Sequence, residues 1–236
     1  MNRIGLATAL TVAIAVGLIF AIHPQFDLDL AAVFFNPATQ MFKVNTQDWV
    51  HLSRTAARVI IGAVAAPAIL ALLVKLILPR RRLPIDLRAA VLVVATLALG
   101  PGLIANTLFK DHWGRTRPID VVEFGGTGHF TPWWDPRGDC PNNCSFIAGE
   151  PSGAFWTLAA AALTPPQWRA LAYGAALGFG AALGALRMGG GAHFFTDVVF
   201  AGVIMFLLVW TAHGLLYRWG PAPKKNKDAA PPSETR

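Results

Sequence analysis

The chain has 236 residues, of which 54% are hydrophobic and only 14% charged, and carries a formal net charge of +7. Several apolar runs approach the roughly 20 residues a helix needs to cross a bilayer, which excludes an ordinary soluble core and predicts one all-α, polytopic membrane bundle. The positive excess falls at the ends of those runs and in the tail, where membrane topology explains it, so nucleic acid is excluded as the partner.

The first span is predicted over residues 4–22. Its apolar stretch is longer than a signal-peptide core and Ala-Ile-His-Pro is a poor cleavage site, so it reads as a retained helix. Residues 23–56 are mixed, and Phe26, Leu28, Leu30, Val33, Phe34 and Phe35 suggest a short interfacial helix. A second span covers 58–78. Pro79, Arg80, Arg81, Arg82 and Pro84 mark a tight basic connection. The third span, 87–109, is interrupted by Gly100-Pro101-Gly102, where a kink is expected, and ends at Lys110. Residues 110–150 form the longest polar stretch. A short fourth span follows over 151–163, a fifth over 170–186 rich in Ala and Gly, as close packing in membranes favours, and a sixth over 197–217. The chain divides into a membrane-embedded domain, 1–220, and a basic, disordered cytoplasmic tail, 221–236. No internal repeat is present.

With about six spans, Arg3, the Arg80 to Arg82 cluster, Arg169 and the tail lysines fall on one side, which the positive-inside rule makes cytoplasmic. Residues 110–150 and 187–197 then share the opposite face. Cys140 and Cys144 lie in that outer loop, where an oxidising compartment favours a disulfide, with two free thiols as the alternative. No neighbouring Cys or His completes a tetrahedral metal set. Trp133 and Trp134 fit either an interfacial belt or substrate contact.

Two patterns on the outer face carry chemistry. In Arg187-x5-His193-x3-Asp197, a helix resuming near His193 places Asp197 one turn on, able to accept a hydrogen bond from one imidazole nitrogen and leave the other free. In Lys110-x6-Arg117-Pro118, two more cations sit at a helix end. Lys110, Arg117 and Arg187 together suit the equatorial oxygens of a phosphate monoester.

The ordered pair of motifs, spanning roughly residues 87–213, resembles the type 2 phosphatidic acid phosphatase (PAP2) superfamily. The resemblance implies a metal-independent phosphomonoesterase with no cofactor, in which His193 is the nucleophile that forms a phosphohistidine and Asp197 orients it. It also implies phosphate binding by Lys110, Arg117 and Arg187, with Ala148 and Gly149 beside them. The outer loop looks like the branch that includes bacterial lipid A phosphatases, especially the 4′-type. Expected, therefore, is a multi-pass protein of the bacterial inner membrane with a periplasmic active site, acting on a lipid phosphate. Lipid A is the first substrate, and undecaprenyl pyrophosphate or phosphatidylglycerol phosphate the next. A small transporter is the rival, but it would place charges near mid-span rather than at helix ends.

The family's second motif departs from its pattern here. It reads Ser-Phe-Pro-Ser-Gly-His, and its His protonates the leaving group, whereas this chain reads Ser145-Phe146-Ile147-Ala148-Gly149-Glu150-Pro151-Ser152-Gly153-Ala154. Matching Ser-Phe puts Glu150 at the His position, and matching Pro-Ser-Gly puts Ala154 there. The first register is preferred. Glu150 then serves as general acid if its pKa is raised, with His112 and His129 as other candidates.

Overall fold

The computed structural model describes residues 2–44 and 47–219. The expected disordered tail and the domain boundary at 220 lie outside the described residues. The architecture is helical, apart from a two-residue antiparallel hairpin pairing β1 (Phe35–Asn36) with β2 (Met41–Phe42). Five helices are long and apolar enough to cross a membrane: α1 (Arg3–Ile22), α3 (Asp48–Ile77), α4 (Leu87–His112), α7 (Pro166–Gly189) and α8 (Phe195–Arg218). Between them lie α2 (Gln25–Ala32), α5 (Gly149–Trp156) and α6 (Leu158–Leu163). The expected fourth span is thus two short helices joined at Thr157, whose hydroxyl turns back to the Ala154 carbonyl at 2.6 Å.

Several helices extend beyond the apolar runs that announce them. α3 begins ten residues before the apolar run expected from 58. Its 30 residues rise about 45 Å, more than the roughly 30 Å of a hydrocarbon core, so at least one end stands clear of it. α2 stops at Ala32, and Phe34 and Phe35 leave it for the hairpin, where Phe35, Phe42 and Phe124 cluster. It is also more than an interfacial helix, since it buries Asp27 along with Ala31. In α4 the Gly100-Pro101-Gly102 break falls within twelve residues of wide i→i+5 turns, Ala98–Phe109. Pro101 brings no N–H to the helix, and Asn106 Nδ2 donates to the Pro101 carbonyl at 2.7 Å. Trp133 stacks on Phe200 of α8 with ring centroids 4.3 Å apart, whereas Trp134 is exposed.

The short α5 is the hub. It packs against α3, α4, α7 and α8, and every residue from Pro151 to Trp156 is buried. Trp156 donates to the Val93 carbonyl and the Thr96 hydroxyl of α4 at 3.2 and 3.0 Å. Against α7 the approach requires glycine. A Cβ on Gly180 would lie 2.2 Å from the Phe155 ring, and one on Gly184 would lie 2.2 Å from Val198 of α8. This is the physical content of the small-residue composition of α7. Gly180→Val should therefore cost about 1–3 kcal/mol through overpacking, read as a lower midpoint of thermal unfolding in detergent. An unchanged midpoint would contradict the α5–α7 contact.

Candidate active site

Three segments distant in sequence meet at one end of α5. Backbone bonds tie them: Cys144 N to Lys110 O at 2.9 Å, Ser145 N to Arg115 O at 2.7 Å, Ile119 N to Gly191 O at 2.9 Å and Ala148 N to Asp197 O at 3.2 Å. The loop through 113–148 is pinned further by a disulfide joining Cys140 and Cys144, Cα atoms 5.7 Å apart, and by Cys140 N bonding the Gly114 carbonyl at 3.0 Å.

His193 lies two residues before α8, not at the start of its helix as the spacing suggested. Phe194 caps the helix, and Asp197, in its first turn, accepts the Phe194 N–H at 2.8 Å. The imidazole is buried, with Nδ1 2.8 Å from the Ser145 carbonyl. A carbonyl only accepts, so Nδ1 carries the proton and Nε2 keeps its lone pair. Asp197 Oδ2 is 3.8 Å from Nδ1, which corrects the expected direct hydrogen bond. The Asp197 carboxylate instead accepts from the Ser145 hydroxyl and from Arg115. Ser145 thus links the two residues, its hydroxyl on Asp197 and its carbonyl on His193. Burial pushes the His193 pKa below its usual value, so the ring is neutral near pH 7.

Beneath this pair is a buried ionic network that the sequence did not announce. Arg115 lies between two carboxylates, donating to Asp197 and, at 2.7 Å, to Asp27 of α2. Asp27 accepts also from the Thr196 amide at 3.1 Å and its hydroxyl at 2.6 Å. The remaining guanidinium donor, Nε, bonds the Thr131 carbonyl at 2.9 Å, and the cation lies over the Phe194 ring at 4.4 Å. Burial raises the Asp27 pKa, opposed by the Arg115 charge.

The cations gather around α5. Lys110 Nζ lies 3.4 Å from Asn143 Oδ1 and crosses the start of α5, where a Cβ on Gly149 would meet it at 3.0 Å. Arg117 donates to the Asn143 carbonyl at 2.6 Å. The Nε atoms of Arg117 and Arg187 are both buried without a hydrogen-bond partner. The Arg117 Nε, held dry without an acceptor, calls for an anion. A further cation, Arg54 of α3, was missed because residues 23–56 read as a mixed loop. Arg54 grips Glu150, with Nε 3.1 and 3.0 Å from the two carboxylate oxygens and a terminal nitrogen 2.7 Å from one of them. Arg187 Nε stands 3.4 Å from the same carboxylate.

These contacts bear on where several expected site residues stand. Ala154 is fully buried against Ala57 and Leu183, so the Pro-Ser-Gly register would place its His in an apolar cluster, while Glu150 sits among the cations. Glu150 does not have the raised pKa of a resting general acid. Burial pulls it up, but the Arg54 hydrogen bonds and the Arg187 charge outweigh this and hold the carboxyl below the usual range. Ala148 is not a free phosphate donor, because its amide is spent on the Asp197 carbonyl. His112 is exposed and its Nδ1 pairs with the Thr107 carbonyl at 3.0 Å, and His129 is also exposed. Among the described residues no group of three or more His, Cys, Asp or Glu could hold a metal.

A cluster of four cations beside a buried neutral histidine marks a phosphoryl-handling site, and comparison with known proteins agrees. The model of the PAP2 superfamily matches residues 88–221, and the chain belongs to that family. It is 34% identical over 220 residues to the lipid A 4′-phosphatase of Francisella tularensis subsp. novicida (strain U112), covering 92% of this chain and 98% of that protein. It is 38% identical over 127 residues to the lipid A 4′-phosphatase of Rhizobium leguminosarum, 53% of this chain and 54% of the relative. The Rhizobium etli protein of the same name is 34% identical over 119 residues, 50% of this chain and 46% of its own. No solved structure gives a significant match.

The histidine geometry has a spectroscopic consequence. The folded pKa of His193 lies below its unfolded value of about 6.5, so the unfolded chain binds the extra proton first. Imidazole 15N spectra should show His193 as the Nδ1–H tautomer at pH 7, still neutral as the pH falls to about 6.5. A His193 charged above pH 6.5 would contradict the burial.

Proposed function

We propose that the chain is a lipid A phosphatase of a bacterial inner membrane, removing a phosphate monoester, at the 4′ position by preference, on the periplasmic face. The observation that carries this is the unsatisfied Arg117 nitrogen, with Lys110 and Arg187 gathered beside a neutral His193, joined to a relative matched over nearly its full length and named for that reaction. For the topology, the α5–α6 pair serves as a short sixth crossing. By the positive-inside rule the Arg80 to Arg82 loop is then cytoplasmic and residues 110–150 outside.

The phosphate dianion enters the ring formed by Arg54, Lys110, Arg117 and Arg187. His193 Nε2 attacks phosphorus in line with the sugar oxygen. The P–N bond forms as the P–O bond breaks, and charge on the equatorial oxygens is met by fixed cations. Asp197, acting through Ser145, holds the ring in the Nδ1–H tautomer and stabilises the charge it gains. Water then attacks phosphorus, breaking the P–N bond and releasing phosphate.

Glu150 starts as a carboxylate that fixes Arg54 and Arg187. The incoming dianion competes for both guanidinium groups and adds negative charge beside the carboxyl, which favours its protonation. Glu150 is then the proton donor to the leaving alkoxide, in place of the family's histidine.

Phosphate release from lipid A by the purified protein tests the reaction, and His193→Ala should abolish it while leaving thermal unfolding intact. Release from lipid A at wild-type rate by that variant would rule out the nucleophile. Glu150→Gln should slow an alkyl phosphate by about 10²-fold or more and an activated aryl phosphate far less. Equal slowing of both would limit Glu150 to positioning the arginines.

A further inference from the structure

Beside the phosphate site, and sharing Arg117 with it, lies an open cleft of about 380 Å³, within the range of small-molecule sites of roughly 300–1,000 Å³. Its lining carries many hydrogen-bonding side chains. Thr116, Asp120, Asp139, Asn142 and Asn143 join Arg117 there, without a large apolar side chain. The walls are built rather than loose. The Cys140–Cys144 disulfide closes one side. Gly138 fits so closely against Gly114 that a Cβ would lie 2.1 Å from its carbonyl, and Gly128 N bonds the Asp120 carbonyl at 2.8 Å on the other side.

Arg117 brings a cation to the lining, whereas Asp120 and Asp139 bring carboxylates that repel a second anion. Carboxylates accept from, and carboxamides both accept from and donate to, the hydroxyls and amide of an N-acylated sugar ring. One lining group is also unsatisfied. Thr116 is 5% exposed, its side chain packs against Gly128 in the cleft wall, and its hydroxyl has no hydrogen-bond partner. A buried hydroxyl without a partner costs stability unless a ligand supplies one.

We infer that this cleft is a sugar subsite, taking the neutral hexosamine ring that carries the phosphate while the phosphate itself sits at Arg117. The inference rests on the phosphatase reading above and adds to it: the headgroup is selected by its ring, not only by its phosphate. A glycerol-based lipid phosphate fills the cation cluster and leaves the cleft empty.

The test is titration calorimetry of the full chain carrying His193→Ala, which prevents turnover, with a soluble hexosamine phosphate monoester and with inorganic phosphate. The sugar phosphate should bind about tenfold tighter, the ratio that one or two net hydrogen bonds give. Adding Thr116→Val, or Asp139→Asn with Asn142→Ala, should bring that ratio close to one. Phosphate binding itself reports that each variant is folded. Equal affinity for the two ligands in the parent, or a tenfold ratio that survives both sets of substitutions, overturns the subsite. Loss of all phosphate binding in the parent strikes the cation cluster and the subsite with it. A tenfold ratio in a protein whose wild type releases no phosphate from lipid A leaves the subsite standing and overturns the reaction instead.

Discussion

The Arg115 guanidinium, fully buried between Asp27 and Asp197, is the interaction on which the site depends. Two carboxylates and one cation removed from water are expensive, and such a group persists only when its donors and acceptors are matched. Here they are, with Thr131, Thr196 and Ser145 taking up the remaining valences. Removing one partner would strand a buried charge, a loss of about 3–5 kcal/mol in comparable pairs. The network fixes Asp197, Asp197 fixes Ser145, and the Ser145 carbonyl sets the His193 tautomer. The proposed nucleophile is thus oriented by four residues in series.

Two of the groups that matter lie outside the region matched by the family model, residues 88–221. Asp27 comes from α2 and Arg54 from the start of α3. Where a neutral histidine would stand, the chain has an acidic residue, and α3 supplies a cation that neutralises it. The net charge offered to a phosphate is therefore that of Lys110, Arg117 and Arg187, with the Arg54–Glu150 pair as a dipole beside them. Residues of the N-terminal segments thus contact the candidate site, and the Francisella comparison covers 92% of this chain.

Much of this was legible in the sequence. Apolar run length gave the long helices, and the spacing of Lys110, Arg117, Arg187 and His193 gave the cation cluster and its histidine. The fourth span was harder, because Thr157 divides it into two helices too short to be recognised by length. Asp27 and Arg115 were out of reach for another reason. They are separated by 88 positions, and each alone looks like a polar residue of a loop or an interfacial helix. Arg54 had a signal that went unread: an ionisable residue adjoining an apolar run, four residues before Arg58, on a chain already set to be helical. The 3.8 Å gap between His193 and Asp197 follows from where the helix starts, and helix boundaries are the least certain reading from sequence.

The central claim is that phosphorus is transferred to His193 before water receives it. Rapid quenching of the protein with substrate labelled in the phosphate, under alkaline conditions that preserve a phosphoramidate, followed by peptide mapping, addresses it directly. The account predicts label on the peptide containing His193, lost on acid treatment and absent from His193→Ala. Phosphate release from lipid A with no labelled histidine at any quench time, from a protein in which His193→Ala remains active, would contradict it.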